Sequence, residues 1–196
     1  IEKRKAMAKT IHAVAQEIFL PLCVGGGINS EQHAHTAIEA GADKVSLNTA
    51  AISNPELITK LAKCYGSQAV IVAIDAKRAG NLFRIYVRSG QQETNRDAID
   101  WAREAADRGA GGILLTSIDR DGTKIGFDCQ LTAAVSEEVS IPVIASGGAG
   151  TFDHFVEVFK NGKADAALAA SIFHYSEYAV VNLKQHLKAH GIPVRL

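Results

Sequence analysis

The sequence predicts an α/β fold, a (β/α)8 barrel in which helices cover a parallel sheet. Short apolar segments alternate with segments of helical periodicity along the 196 residues, which is typical of a parallel sheet between helices. An internal repeat is the second observation. Pro21–Gly27 and Pro142–Gly148 both run from proline through apolar residues into a glycine turn, 121 residues apart.

The repeat continues downstream, where Gly41–Thr49 matches Gly162–Ser171 and Asp43 stands 122 residues before Asp165. A unit of this length indicates a duplicated half-domain, because solenoid units have only roughly 20–50 residues. Two such halves approach the roughly 250 residues typical of a (β/α)8 barrel. We therefore expect residues 1–196 to be a single barrel domain of about six β/α units, lacking an N-terminal strand-helix-strand segment of roughly 50–55 residues.

The elements of the first half follow in order from local patterns. Residues 3–17 have helical periodicity without an N-cap, and the apolar residues 19–24 predict a strand. Ser30 then caps a helix that ends at about Ala40, because its hydroxyl can accept a hydrogen bond from a free N–H of the first turn. Residues 44–47 predict the next strand.

The middle of the chain continues this alternation. A helix over residues 55–65 begins with proline, which favours the first turn, and is closed by Gly66. The apolar residues 69–74 predict a central strand that stops at Asp75. An additional hairpin arm is predicted at residues 82–88.

The second half repeats the pattern of the first. Its predicted elements are a helix at 95–108, a strand at 112–116, a helix at 128–139, a strand after Pro142, a helix at 151–161, a strand at 164–169 and a last helix from about 176 to 189.

The composition excludes several classes of function. Lys and Arg together number 21, as do Asp and Glu, so no net charge draws the chain to nucleic acid or to a membrane surface. No run of 18 or more apolar residues occurs. The three cysteines are odd in number and lack metal-ligand spacing, which indicates a reducing compartment. We expect a cytoplasmic protein.

Functional groups of such a barrel belong at the carboxyl ends of its strands. A strand, a glycine turn and a helix N-terminus in this order present backbone N–H groups and the positive end of a helix dipole to one point, which suits a phosphate. A simple strand-to-helix turn, in which glycine provides only positive φ, is the alternative. Because the pattern occurs twice, we favour two phosphate sites.

The motifs at these strand ends resemble the cyclase-subunit family of imidazole glycerol phosphate synthase, an enzyme of histidine biosynthesis. They are Val24–Ile28, Asp43–Ala51, Val72–Arg78, Leu115–Thr123, Ile144–Gly150 and Ala169–His174. The resemblance covers essentially the whole chain, and the six motifs together are highly specific. The sister isomerase of the same pathway shares the glycine turns but typically has Gly-Thr where this chain has Asn48-Thr49, which favours the cyclase.

This resemblance implies an ammonia-dependent lyase without a cofactor. The family converts phosphoribulosyl-formimino-aminoimidazole carboxamide ribonucleotide, which has a phosphate at each end, into imidazole glycerol phosphate and aminoimidazole carboxamide ribonucleotide. A separate glutaminase subunit, docked as a heterodimer at the amino-terminal end of the barrel, would supply ammonia through the barrel interior. Neither nucleic acid nor a membrane is implied as a partner.

The resemblance also assigns roles to individual residues. Asp75 is the expected catalytic residue, and the family's other catalytic Asp would lie ahead of Ile1, so the chain alone is expected to be inactive. One phosphate is expected on Gly27, Asn48 and Thr49. The other is expected on Gly122, Gly148, Ala170 and Ser171. Thr116, Asp121, Ser146 and Gly147 complete the expected substrate-binding set.

The strand pattern around Asp75 leaves its role open. A carboxyl group at the end of an apolar strand is partly desolvated, which can raise its pKa toward acid–base catalysis. A helix cap or a partner for Lys77 or Arg78 is equally compatible with the pattern, and the family motif favours catalysis. Asp119 is as compatible with capping its turn as with holding substrate.

Histidines and the ammonia entrance give weaker expectations. His154 and His174 lie next to Phe residues, which favours a packing role for their side chains. His33 and His35 are two residues apart on a helix, so their side chains point in different directions and no metal site is predicted.

Lys44 matches one member of the family's charged ammonia gate. Gly112 stands where the family usually has Glu.

Two other functions remain open at this level. The first is the sister isomerase, which needs no ammonia, so ammonium dependence of product formation separates it from the cyclase. The second is a non-catalytic phosphate-binding fragment, which the intact mass of the natural chain would test.

Overall fold

A computed structural model of the chain describes residues 2–175 and 178–195, with side chains from residue 7 onward in those ranges. The chain divides into two compact units. The first unit comprises Ile1–Ala73 and Glu104–Gly112, and the second comprises Ile74–Arg103 and Ile113–Leu196. Each unit is built from the predicted alternation of strands and helices.

The helices are α1 (Glu2–Glu17), α2 (Glu31–Glu39), α3 (Thr49–Ser53), α4 (Glu56–Tyr65), α5 (Ala98–Asp107), α6 (Cys129–Ser136), α7 (Phe152–Lys160), α8 (Ser171–His174) and α9 (Val180–Ala189). The strands are β1 (Cys23–Val24), β2 (Lys44–Leu47), β3 (Val70–Ala79), β4 (Leu82–Val87), β5 (Gln92–Asp97), β6 (Gly112–Ser117), β7 (Val143–Ser146) and β8 (Ala166–Leu168).

The sheet of the first unit has the order β1-β2-β3, with all strands parallel. Val45 lies opposite both Val24 and Val70 in the register. Because alternate residues of a parallel strand face helices on one side and the interior on the other, Val45 and Leu47 are fully buried. Ile58 and Leu61 of α4 are buried as well, so the amphipathic face of this helix anchors the unit.

The second unit contains the end of β3 followed by β6, β7 and β8 in parallel order. Beyond Asp75 the chain of β3 pairs antiparallel with β4, and β4 pairs with β5. The core of this unit is a cluster of buried residues from β7, α7, α8, α9 and the loops between them, comprising Phe127, Ala145, Phe155, Val158, Ala164, Ile172, Leu183 and Leu187. The predicted α/β class is confirmed.

The internal repeat is visible in the hydrogen bonds at the amino ends of two strands. In the first unit the Asp43 carboxylate accepts a hydrogen bond from Leu22 N–H at 2.7 Å, and Asp43 N–H donates to the Leu22 carbonyl at 2.9 Å. In the second unit Asp165 makes the same two bonds with Val143, at 2.9 and 3.0 Å. The aspartate of each repeat therefore positions the strand before it.

Several predicted boundaries are wrong, each for a local reason. The strand predicted at residues 19–24 comprises only Cys23–Val24, because its partner β2 begins at Lys44, which lies opposite Cys23. Phe19, at the start of the predicted strand, is fully exposed. Strand β3 does not stop at Asp75, since β4 provides an antiparallel partner as far as Ala79.

The helix predicted from residue 95 begins only at Ala98. Residues before it form β5, where the Thr94 hydroxyl donates to the Ile85 carbonyl of the neighbouring strand. The Asp97 carboxylate then caps α5 by accepting a hydrogen bond from Ile99 N–H at 2.9 Å.

Other differences concern the ends of elements. Helix α6 ends at Ser136 rather than 139, and β8 covers only three residues. The last helix begins at Val180, whereas its predicted start at Ser176 lies outside the described residues. In the described part of the chain, no helix is both long and apolar enough to span a bilayer.

Candidate active site

The first glycine turn lies at the carboxyl ends of β1 and β2, in the first unit. Gly26 and Gly27 have φ of +76° and +89°, and a Cβ at either position would have no atom within 4 Å. His33 Nδ1–H donates to the Gly27 carbonyl at 3.1 Å, which holds the turn against the first turn of α2. Asn48 is the N-cap of the short helix α3, and Thr49 is its first residue. The structure thus places Gly27, Asn48 and Thr49 at the same strand ends, as predicted.

The second glycine turn lines a cavity of about 220 Å³ in the second unit. This cavity lies at the carboxyl ends of β7 and β8 and beside the loop that follows β6. Its lining residues are Asp121, Gly122, Lys124, Ser146, Gly147, Gly148, Ala149, Leu168, Ala169, Ala170 and Ser171. Small-molecule pockets commonly have roughly 300–1,000 Å³, so the cavity suits one end of a ligand, such as a phosphate group.

The two turns are completed by short helices that the sequence analysis missed. Helix α3 begins after Asn48 and α8 begins after Ala170, 122 residues later. In each case the N-cap carbonyl accepts hydrogen bonds from two N–H groups of its helix. The repeat offset at Asn48 and Ala170 is the sequence signal that could have revealed both helices.

Gly148 has a packing role that the sequence analysis missed. A Cβ at Gly148 would lie 2.2 Å from the Gly126 carbonyl oxygen, and one at Gly150 would lie 2.2 Å from that of Lys124. Gly126 N–H donates to the Gly148 carbonyl at 2.8 Å. The missing side chains therefore allow the loop after β6 to pack on the turn. At Gly27, by contrast, the space is open.

Asp75 lies within β3, in the second unit, between the fully buried residues Ile74 and Ala76. The helix-cap interpretation of Asp75 is wrong, because the residue is in the middle of a strand. Its direct cross-strand neighbour is Tyr86 of β4. Residues directly opposite in an antiparallel pair point to the same face, so Tyr86 shares the face of Asp75.

Tyr86 is a neighbour of Asp75 that the sequence analysis missed. Its hydroxyl donates to the Glu93 carboxylate at 2.6 Å, and this hydrogen bond is the main cause that raises the pKa of Tyr86 above its ordinary value. The phenol is therefore a neutral hydrogen-bond donor near pH 7. The alternating hydrophobicity of residues 82–87 could have placed Tyr86 on the polar face of the hairpin.

The remaining predicted substrate-binding residues have different surroundings. Thr116 lies opposite Ser146 in the register of β6 and β7 but does not line the cavity. Asp121 lines the cavity, and its N–H donates to the Ser117 carbonyl at 2.9 Å. The Asp119 carboxylate accepts from Arg78 N–H at 2.8 Å. Asp119 thus fastens its loop to β3, a contact that neither the turn-capping nor the substrate interpretation predicted.

Lys124 is a cationic member of the cavity wall that the sequence analysis missed. It lies three residues after Asp121 and has a φ of +59°. Its place in the polar turn after β6 was the available signal. Lys124 thus brings a cationic residue to the wall of the cavity, and lysine is a common phosphate ligand.

Lys44 lies at the amino end of β2, opposite the edge that has the glycine turn. Its Nζ donates a hydrogen bond to the Gln68 carbonyl in the same unit. Gly112 begins β6, and the preceding Gly111 N–H donates to the Val70 carbonyl at 2.8 Å. A Cβ at Gly111 would lie 2.1 Å from the Ser67 carbonyl oxygen, so the backbone is tightly packed beside Gly112.

The histidines have structural roles that differ from simple packing. His154 Nδ1 accepts hydrogen bonds from Gly150 N–H at 3.1 Å and from Thr151 N–H at 3.2 Å, which caps α7. The packing interpretation is wrong for His174, whose side chain is exposed. His35 contacts the Tyr65 hydroxyl and the Glu39 carboxylate on the surface, while His33 binds the first glycine turn.

Comparison with known proteins identifies the relatives of this chain. The family described as "Histidine biosynthesis protein" matches residues 1–179. The imidazole glycerol phosphate synthase subunit HisF of Acidobacterium capsulatum is 54% identical over 195 residues, which cover 100% of this chain and 77% of the relative. The protein of the same name from Bacillus licheniformis is 55% identical over 196 residues, and the match covers 99% of this chain and 78% of the relative. The HisF subunit of Dehalococcoides mccartyi is 51% identical, and the match covers 100% of this chain and 77% of the relative.

These matches extend over the whole chain and about three quarters of each relative. They give no support to the expectation that a segment is missing ahead of Ile1. The motifs at the two glycine turns and around Asp75 lie inside the matched range.

Proposed function

The chain belongs to the histidine biosynthesis protein family, and from that premise we propose how its residues perform the reaction of the cyclase subunit of imidazole glycerol phosphate synthase. The relatives of that name, at 51–55% identity over the full chain, establish the cyclase function in histidine biosynthesis. The sister isomerase is thereby disfavoured. The family has the barrel fold that the parallel β/α order predicts.

The observation that carries the proposed mechanism is the cavity at the second glycine turn. Seven predicted residues line it, namely Asp121, Gly122, Ser146, Gly147, Gly148, Ala170 and Ser171. Backbone N–H groups at the start of α8 and the ammonium group of Lys124 offer hydrogen bonds and positive charge to an anion. We assign one phosphate of the substrate to this cavity.

The other phosphate is assigned to the repeat-related turn of the first unit. Gly27 leaves open space beside the turn, and α3 begins at Thr49 after the N-cap Asn48. The equivalence of α3 and α8 supports this assignment, because a short helix begins at the same repeat offset in both halves.

Asp75 is the residue assigned to proton transfer. It is positioned by a strand whose neighbouring side chains are buried, which limits its motion. The Tyr86 hydroxyl on the same face donates its one proton to Glu93, so its oxygen is available to accept a hydrogen bond from the substrate. The carboxylate accepts a proton during ring closure with ammonia and returns it to the leaving group.

The partner in this proposal is a glutaminase subunit that supplies ammonia. The name of the relatives designates a subunit, and Lys44 at the amino end of β2 is the residue assigned to the ammonia entrance. A cytoplasmic location is part of the proposal, because Cys23, Cys64 and Cys129 are all free thiols. No cofactor and no nucleic acid or membrane partner is included.

Lys124→Ala tests the assignment of the cavity. Loss of a charge-assisted hydrogen bond to phosphate should raise KM for the substrate roughly 10-fold or more, with little change in kcat, because this bond is equal in the ground state and the transition state. The measurement is ammonium-dependent formation of imidazole glycerol phosphate. Lys160→Ala, which removes a lysine of α7 outside this cavity, is the matched control. Equal KM values for both variants and the parent would refute the assignment.

A further inference from the structure

We propose that Asp153, His186 and His190 form a binding site for one divalent transition-metal ion, with Zn²⁺ as the expected ion. The three side chains come from α7 and from the end of α9, both in the second unit. One ligand atom from each side chain lies within 4.8 Å of those of the other two. The proposal does not depend on the proposed function, because none of the three residues lines the cavity.

The spacing of the two histidines is the first argument. His186 is in α9 and His190 is its C-cap, four residues later, so both rings lie on one side of the helix. The ring centroids are 4.3 Å apart. Two histidines at positions i and i+4 of a helix are a common pair of zinc ligands.

The hydrogen bond of His190 prepares it as a ligand. Its Nδ1 lies 2.9 Å from the His186 carbonyl oxygen. A carbonyl oxygen only accepts, so Nδ1 carries the proton in this bond, and Nε2 of the neutral ring has the free lone pair. Metal-ligating histidines almost always donate their other ring N–H in this way, because the bond fixes the tautomer and the ring orientation.

His186 and Asp153 already face each other across the two helices. His186 Nε2 lies 2.8 Å from Asp153 Oδ1, and the His186 ring packs against that of Phe152 at 5.6 Å between centroids. An ion between the two ligand atoms replaces the proton that they now share, and that proton moves to Nδ1 of His186 or to solvent. Tetrahedral zinc with bonds of about 2.0–2.1 Å separates its ligand atoms by about 3.3–3.4 Å, so only a small rotation of side chains is needed.

The exposure of the cluster defines the kind of site. The side chains of His186 and Asp153 are 29% and 74% exposed, so a fourth position is open to water. Without an ion, an ion pair of this exposure contributes little, with a median of about 0–1 kcal/mol. A bound ion joins the first turn of α7 to the last turn of α9 and stabilises their packing.

The imidazole ligands also predict the selectivity of the site. Imidazole suits Zn²⁺, Cu²⁺ and Ni²⁺, whereas Mg²⁺ requires oxygen ligands. Cu²⁺ should bind more tightly than Zn²⁺, in the order expected for nitrogen ligands. Mg²⁺ at the same concentration should not compete.

The test is a titration of the metal-free 196-residue chain with Zn²⁺ alone at neutral pH, by calorimetry. We expect one ion per chain and a raised melting temperature in the presence of zinc. His190→Ala and Asp153→Asn should each weaken zinc binding at least about 10-fold and reduce the thermal shift. Both side chains are exposed, so these variants should fold like the parent even if His186→Ala does not.

His12→Ala is the matched control, since His12 is exposed on α1 and contacts only Gln16 among the described residues. Its zinc affinity should equal that of the parent. Zinc affinity that is equal in the parent, H190A and D153N would overturn the proposal. Absence of binding to the parent at zinc concentrations up to about 1 mM would overturn it as well.

Discussion

At the scale of single residues, the surroundings of Asp75 determine what it can do. The carboxyl group belongs to a strand whose next residues on either side, Ile74 and Ala76, are fully buried. Lys77 follows on the same face, since side chains alternate along a strand. A carboxylate held in this manner is positioned by the sheet and not by a flexible loop, which favours repeated proton transfer in one geometry.

Asp75→Asn should therefore reduce kcat by roughly 10²–10⁴-fold, because the amide keeps the size of the side chain but cannot exchange a proton at neutral pH. KM should change little, since the phosphates provide most of the ground-state binding. The measurement is ammonium-dependent turnover at saturating substrate, with substrate binding determined separately.

Asp100→Asn serves as the control for this prediction. It removes the same charge from an exposed position on α5, where Asp100 pairs only with Arg103 among the described residues, and turnover should equal that of the parent. If D75N retained more than about a third of the parent kcat, Asp75 would have a positioning role only.

At the scale of elements, the glycines that line the cavity are of two kinds. Gly148 and Gly122 both line the cavity and both have positive φ, of +100° and +75°. A Cβ at Gly148 would collide with the Gly126 carbonyl oxygen, whereas a Cβ at Gly122 would meet nothing within 4 Å. Packing of the loop after β6 on the turn thus depends on Gly148 and not on Gly122.

This difference predicts unequal effects on stability. Gly148→Ala should lower the free energy of unfolding by about 2–5 kcal/mol, since it combines overpacking with left-handed strain. Gly122→Ala should lower it by only about 1–2 kcal/mol, from strain alone. Chemical denaturation of the two variants measures both values, and equal losses would show that the packing between loop and turn is not a major contribution.

At the scale of the whole molecule, the duplication explains why similar structures recur. Ser30 and Thr151 occupy the N-cap positions of α2 and α7, 121 residues apart. His33 and His154 follow at the same offset, but His33 donates to a carbonyl whereas His154 accepts from two N–H groups. The repeat has therefore kept the framework of each turn while the hydrogen bonds of its side chains diverged.

The duplication predicts two anion sites per chain. Equilibrium dialysis with inorganic phosphate should give two sites per chain. Gly27→Val should remove one of them, because its side chain enters the open space beside the first turn. Lys124→Ala should weaken the other site. A stoichiometry that is unchanged in G27V would mean that the first turn has only a structural role.

The sequence by itself determined the α/β class, the duplication and the groups at the strand ends, because these follow from periodicity and from short glycine motifs within each repeat. Gly27, Asn48 and Thr49 follow the carboxyl ends of the paired strands β1 and β2, as predicted, and seven of the predicted residues line one cavity. Thr116 does not line it. The sequence could predict these residues because the short motifs around them determine their position at the strand ends.

Only the tertiary structure decided the contacts between segments distant in sequence. It placed Lys124 in the cavity wall, packed Gly126 on Gly148, and brought Asp153 opposite His186. No local pattern specifies such pairs, since each depends on how complete elements pack in three dimensions.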